Sequence, residues 1–129
     1  MSEITGNREL LVWATKHNVP LDVCLELTHH CNFRCQHCYI PDFLAPDLLS
    51  TERVVRLLEE LADMGTLYLT LSGGEMLLRK DWLDIALAAR ELGFALRLFT
   101  NGALVTDEAA DAMKALDCVV EVSLYTTDK

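Results

Sequence analysis

Hydrophobic positions recur at every second residue in four short stretches of the chain, and at every third or fourth residue in the segments between them. Leu21, Val23, Leu25 and Leu27 alternate with Asp22, Cys24, Glu26 and Thr28, which predicts a strand over 21–28. A loop rich in Cys, His, Asn and Pro runs from there to about Leu49. Val54, Leu57, Leu58, Leu61 and Ala62 then form the apolar stripe of a helix. Ser50 can cap its free N–H groups, and Glu52 suits the positive end of its dipole. Gly65 supplies the left-handed residue that ends such a helix. A second strand is predicted over 66–72. A second helix starts near Asp81, has Trp82, Ile85, Ala86 and Ala89 on one face, and ends at Gly93. A third strand covers 95–100, a third helix runs from after Thr106 to about Leu116, and a fourth strand covers 118–125. The stretch 8–16 predicts a further short helix within an N-terminal extension over 1–20.

Strands that alternate with helices imply an α/β fold with parallel strands joined by right-handed crossovers. Parallel strands covered on both faces read as continuous apolar runs, and these do not. Leu25, Leu27, Leu67, Leu69, Leu71, Leu96, Leu98, Val120, Val122 and Leu124 fall on one face. Glu26, Thr28, Tyr68, Thr70, Ser72, Arg97, Glu121, Ser123 and Tyr125 fall on the other. The first face can pack against the helices. The second suits the polar lumen of a curved, partly open barrel, or the solvent face of an ordinary sheet.

The chain has 129 residues, enough for one domain, and 51% are hydrophobic, enough for a core. Its net charge of −9 and lack of a basic run argue against a nucleic-acid partner. No apolar run approaches the roughly 20 residues of a membrane span. The first twenty residues lack the pattern of a signal peptide, so a cytoplasmic protein is expected.

Five cysteines in such a chain argue against a disulfide framework. Cys31, Cys35 and Cys38 lie within one loop directly after the first predicted strand. Thiolates at spacings of four and three can face one small volume, and they suit iron–sulfur clusters or zinc. A cube of four irons held by three cysteines leaves one iron open for a ligand. Structural zinc would take the three cysteines and one of His29, His30 or His37. No second pair of ligands is evident, because Cys24 and Cys118 fall on predicted strands. Three buried free cysteines are a further alternative, one that the polarity of the loop disfavours.

The stretch Leu25-Glu26-Leu27-Thr28-His29-His30-Cys31-Asn32-Phe33-Arg34-Cys35-Gln36-His37-Cys38-Tyr39 resembles the signature of the radical S-adenosylmethionine superfamily. That resemblance implies the first four strands of a partial (β/α)6 barrel, similar to a TIM barrel, as a core domain over 21–129 cut off after the fourth strand. It implies a 4Fe–4S cluster on Cys31, Cys35 and Cys38, with S-adenosylmethionine on the open iron. One electron, from a donor such as flavodoxin or ferredoxin, then cleaves a carbon–sulfur bond. The product is a 5′-deoxyadenosyl radical that abstracts hydrogen from substrate.

Other positions fit the same resemblance. Ser72-Gly73-Gly74-Glu75 follows the second strand, and the resemblance implies that this turn contacts the methionine ammonium. Met76 stands where the family often has proline. His37 occupies a place near the adenine, and Ser123 one near the ribose or methionine part. Thr100-Asn101-Gly102 matches a stretch frequent at the end of the third strand. The motif style is nearest to members that modify peptides, which implies a peptide substrate. The alternative is a truncated, non-catalytic module that binds an iron–sulfur cluster or zinc.

Overall fold

The computed structural model describes residues 2–124, with side chains from 8 to 124. The elements run α1 (Ser2–His17), β1 (Asp22–Glu26), α2 (Thr51–Asp63), β2 (Tyr68–Ser72), α3 (Trp82–Glu91), β3 (Ala95–Thr100), α4 (Asp107–Ala115) and β4 (Val119–Val122), with a short 3₁₀ turn at Met76–Leu78. All four strands are parallel and stand side by side in chain order. This is the α/β architecture that the alternating pattern predicts. It comprises the first four strands of a partial barrel.

Local chemistry sets the helix ends. Ser50 accepts a hydrogen bond from Arg53 N–H at the start of α2, and Thr106 accepts one from Ala109 N–H at the start of α4. Gly65 and Gly93, at φ +94° and +89°, turn the chain out of α2 and α3. The helix α1 is longer than the sequence pattern predicts, beginning at Ser2 rather than near Arg8. β1, β2 and β4 are each shorter than predicted. Tyr125, predicted to close the fourth strand, lies outside the described residues.

The register aligns the two sheet faces. Leu25, Leu71, Leu98 and Val120 share one row, and Val23, Leu69 and Leu96 another. These rows pack on Val54 and Leu58 of α2, Ile85, Ala86 and Ala89 of α3, and Met113 and Leu116 beside them. Leu58, Leu69, Leu71, Ile85 and Leu98 are completely buried. Burying one such side chain contributes about 1.5–3 kcal/mol. The expectation of a single apolar face fails at its margins. Leu67, Val122 and Leu124 are exposed, because β4 is an edge strand and Leu67 precedes its own strand. The opposite face carries Asp22, Cys24 and Glu26 beside Thr70, Ser72 and Arg97. Arg97 forms a short ion pair with Asp22 at 2.6 Å across this face.

Candidate functional site

The C-terminal ends of the strands deliver four segments to one place. A cleft of about 290 Å³ opens there. It is bounded by Cys31, Cys35, His37 and Cys38 from the loop after β1, and by Ser72, Gly73 and Gly74 after β2. Thr100 and Asn101 after β3, and Ser123 after β4, complete it. Parallel α/β sheets gather active-site groups at this end because every strand points its following loop the same way.

The glycines explain how the cysteine loop is seated. Gly74 N–H donates to Thr28 O, and Glu75 N–H donates to His30 O, both at 2.8 Å. A Cβ on Gly73 would lie 2.3 Å from Thr28 O, and one on Gly74 would lie 2.3 Å from His30 O. Gly73 also sits at φ +138°. Only glycine permits this approach. The Gly-Gly turn therefore docks the backbone immediately before Cys31, and it still borders the cleft.

Glu75, the acid of the Gly-Gly-Glu turn, has partners within the chain itself. It is 1% exposed and does not border the cleft. Its carboxylate accepts from Leu77 N–H at 3.0 Å, from Asn101 N–H at 2.7 Å, and from the Thr100 hydroxyl at 2.8 and 2.9 Å. Gly102 N–H donates to that same hydroxyl, which leaves its proton for Glu75. A buried carboxylate must be compensated. Here the chain's own donors do it and join the loop after β2 to the loop after β3.

A second buried network has no counterpart in the sequence patterns. Arg79 is 7% exposed. It donates to Leu27 O at 3.0 Å and to Leu49 O at 3.2 Å, just before and just after the cysteine loop. It also makes two hydrogen bonds to Asp81, whose carboxylate accepts from the Thr51 hydroxyl at 2.6 Å. The Arg79 guanidinium beside Asp81 holds that carboxyl at about 2, well below the ordinary range. One guanidinium thus closes the loop that bears the three cysteines.

The open side of the cleft is different. Cys31, Cys35 and Cys38 are half-buried free thiols, and His37 is exposed at the margin. Among the described residues, no three Cys, His, Asp or Glu side chains converge on the spacing of one metal ion. Tyr39 is 71% exposed, and its hydroxyl donates to Glu26 Oε1 at 2.5 Å. That bond pushes the Tyr39 hydroxyl up to about 12. Cys24 also lines the cleft, from the polar face of β1. Burial, followed by the nearby Glu26 carboxylate, pushes its thiol up. Strand alternation places Cys24 on that face but gives no reason to single it out.

The profile of the radical SAM superfamily matches residues 25–129. The chain belongs to the radical SAM superfamily. Two relatives share comparable identity with this radical SAM chain. The PqqA peptide cyclase of Xanthomonas euvesicatoria pv. vesicatoria is 40% identical over 98 residues, covering 74% of this chain and 26% of its own length. The Fe-coproporphyrin III synthase of Methanosarcina barkeri is 38% identical over 106 residues, covering 81% of this chain and 26% of its own. The chain thus spans about a quarter of the length of these relatives. Among solved structures, Streptococcus suis SuiB bound to its precursor peptide SuiA superposes with a TM-score of 0.78 at 22% identity. The match covers 96% of this chain and 29% of SuiB. SuiB bound to S-adenosylmethionine superposes with a TM-score of 0.72. At that identity the likeness is one of fold.

Proposed function

We propose that this chain forms the cluster- and cofactor-binding part of a radical SAM enzyme that modifies a peptide. Cys31, Cys35 and Cys38 hold a 4Fe–4S cluster, and S-adenosylmethionine lies beside it along Gly73, Gly74, His37 and Ser123. The observation that carries this reading is the convergence of these residues, from the loops after β1, β2 and β4, on one cleft that Thr100 and Asn101 at the end of β3 also border. The donor set fits the group. The three thiols are free, and they border the same space as backbone that carries no side chain. A single zinc ion draws its sulfur ligands to about 2.3 Å from one point. A cluster interposes its own body between cysteines and suits a wider arrangement.

When bound and reduced, the pair supplies reductive cleavage of a carbon–sulfur bond and a carbon radical for hydrogen abstraction. The chain's own residues prepare the place. The Gly-Gly turn fixes the backbone before Cys31, and Arg79 fixes both ends of the loop. Phe33, Ile40 and Phe99 give the cleft an apolar part of its lining. Glu75 braces the loop after β3 through Thr100 and Asn101, and it completes the Gly-Gly-Glu turn proposed to meet the methionine ammonium. The electron comes from a donor of the flavodoxin or ferredoxin class.

The peptide class is supported by the peptide cyclase relative and by the SuiB fold. A relative named Fe-coproporphyrin III synthase, of nearly equal identity, supports assigning to the matched stretch a step that does not itself select the substrate.

Anaerobic reconstitution tests the reading. About four irons with matching sulfide per chain are expected, with cofactor binding to the loaded protein. Cys31→Ala, Cys35→Ala and Cys38→Ala should each abolish iron uptake, and Cys24→Ala and Cys118→Ala should preserve it. Stoichiometric zinc without sulfide, in protein purified without oxygen, would overturn the reading. A cluster that binds no cofactor would leave a non-catalytic iron–sulfur module instead.

A further inference from the structure

Asn101 is fixed from three directions. Its N–H donates to Glu75 Oε2 at 2.7 Å, its Oδ1 accepts from Ala103 N–H at 3.0 Å, and its Nδ2 donates to Asn32 Oδ1 at 2.8 Å. A backbone N–H can only donate, so Ala103 commits the amide oxygen to its own side. The NH₂ group must then face the cysteine loop. There it lies 3.9 Å from Cys31 Sγ, a distance suited to N–H···S contact. Phe33 N–H reaches the same sulfur from within the loop at 3.4 Å. Asn101 is therefore the point at which the loop after β3 touches a cysteine of the loop after β1.

Resting on the function proposed above, we infer that Asn101 is a positioning residue that raises the reduction potential of the cluster held by Cys31. An N–H aimed at a thiolate withdraws electron density from sulfur. It therefore stabilises the electron-richer, reduced cluster more than the oxidised one. The placement has to be rigid for this to work, and the buried Glu75 carboxylate supplies the rigidity. Asn32 competes for the same NH₂ group and holds it close to the sulfur.

The test compares wild type, Asn101→Leu and Asn101→Asp, each reconstituted anaerobically as the full chain. Iron and sulfide are counted, and reduction is followed by electron paramagnetic resonance against a potential series. Leu has nearly the shape of Asn but neither donor nor acceptor. The expected result is unchanged iron and sulfide with a reduction equilibrium lowered by one hydrogen bond's worth, roughly tenfold. For one electron that is a shift of about 59 mV to more negative potential. Asp keeps the acceptor for Ala103 N–H while replacing the donor near sulfur, so it should shift the potential at least as far. In wild type carrying ¹⁵N-labelled asparagine, the reduced cluster should show a nitrogen hyperfine coupling that Asn101→Leu weakens, the remainder coming from Asn32 beside Cys31. A fully loaded variant with the wild-type potential overturns the inference alone. Failure of both variants to take up iron also overturns it, because Asn101 would then be only structural. A wild-type chain that takes up no iron and sulfide overturns the functional reading and this inference together.

Discussion

The two walls of the cleft are held in opposite ways. The wall after β2 and β3 is backed by buried charge that is fully satisfied. Glu75 has three donors on its carboxylate, and Arg79 is spent on two carbonyls and a carboxylate. The wall after β1 carries half-buried thiols, the exposed Phe33 and Tyr39, and hydrogen bonds to sulfur that are long. The difference has a physical basis. Groups that fix geometry work best when their own bonding is saturated, since an unpartnered buried charge is costly. Groups that must bond to a cofactor have to keep capacity unused. Rigid backing and an open face therefore belong to one design, and substitutions in the two walls should separate stability from binding.

The largest effect is expected where the backing is most buried. Arg79→Ala leaves Asp81 without its cation and frees two carbonyls. Removing one partner of such a pair costs about 3–5 kcal/mol. Urea unfolding of the chain checks it, and a loss below about 1 kcal/mol would show that the loop closes without this clamp.

Glu75→Gln comes next. The amide places an NH₂ group against donors that have no other partner. A loss of about 1.5–3 kcal/mol is expected, the range of a hydrogen bond to a charged group. Cofactor affinity should fall only as far as Thr100 and Asn101 move. A variant of wild-type stability that binds cofactor poorly would mean that Glu75 itself reaches the cofactor, and that the two walls are not distinct.

Acid should weaken the backing selectively. Arg79 and Thr51 depress the Asp81 carboxyl to about 2 from its ordinary 3.8. A depressed carboxylate adds stability that is fully present above about pH 4 and is lost as pH falls towards about 2. The shift corresponds to about 2 kcal/mol. Unfolding midpoints measured between pH 5 and pH 2 should fall less steeply in Asp81→Asn than in wild type. Equal slopes would remove Asp81 from the acid response.

The smallest effect on stability is expected on the open wall. Cys35→Ala should change the stability of the metal-free chain by no more than about 0.5 kcal/mol while abolishing iron uptake. A large loss in the metal-free chain would show that the thiol packs as core, against the contrast drawn between the walls.

Much of this contrast was legible before the fold was known. The period-two runs located all four strands, and β3 falls on the predicted residues. Ser50, Thr106, Gly65 and Gly93 marked helix ends by local bonding and dihedral preference alone. The cysteine spacing, the Gly-Gly turn, His37 and Ser123 were identified from short stretches, and the structure brings them to one cleft. The strand margins were less legible. Val122 and Leu124 carry the core pattern yet lie open, since alternation reports which face a residue takes and not whether anything covers it.

What the sequence by itself determined was the order of elements, the polar and apolar faces of the sheet, and the residue types offered at each strand end. These follow from interactions spanning a few residues. The tertiary structure alone decided how those residues are used. Arg79 meets Leu27 O fifty-two positions away, Asn101 meets Cys31 seventy positions away, and Cys24 enters the cleft through its register with Thr70. It also made Glu75 a buried tie between two loops. Such pairings depend on which loops the parallel sheet sets side by side, and no local pattern encodes the distance between them.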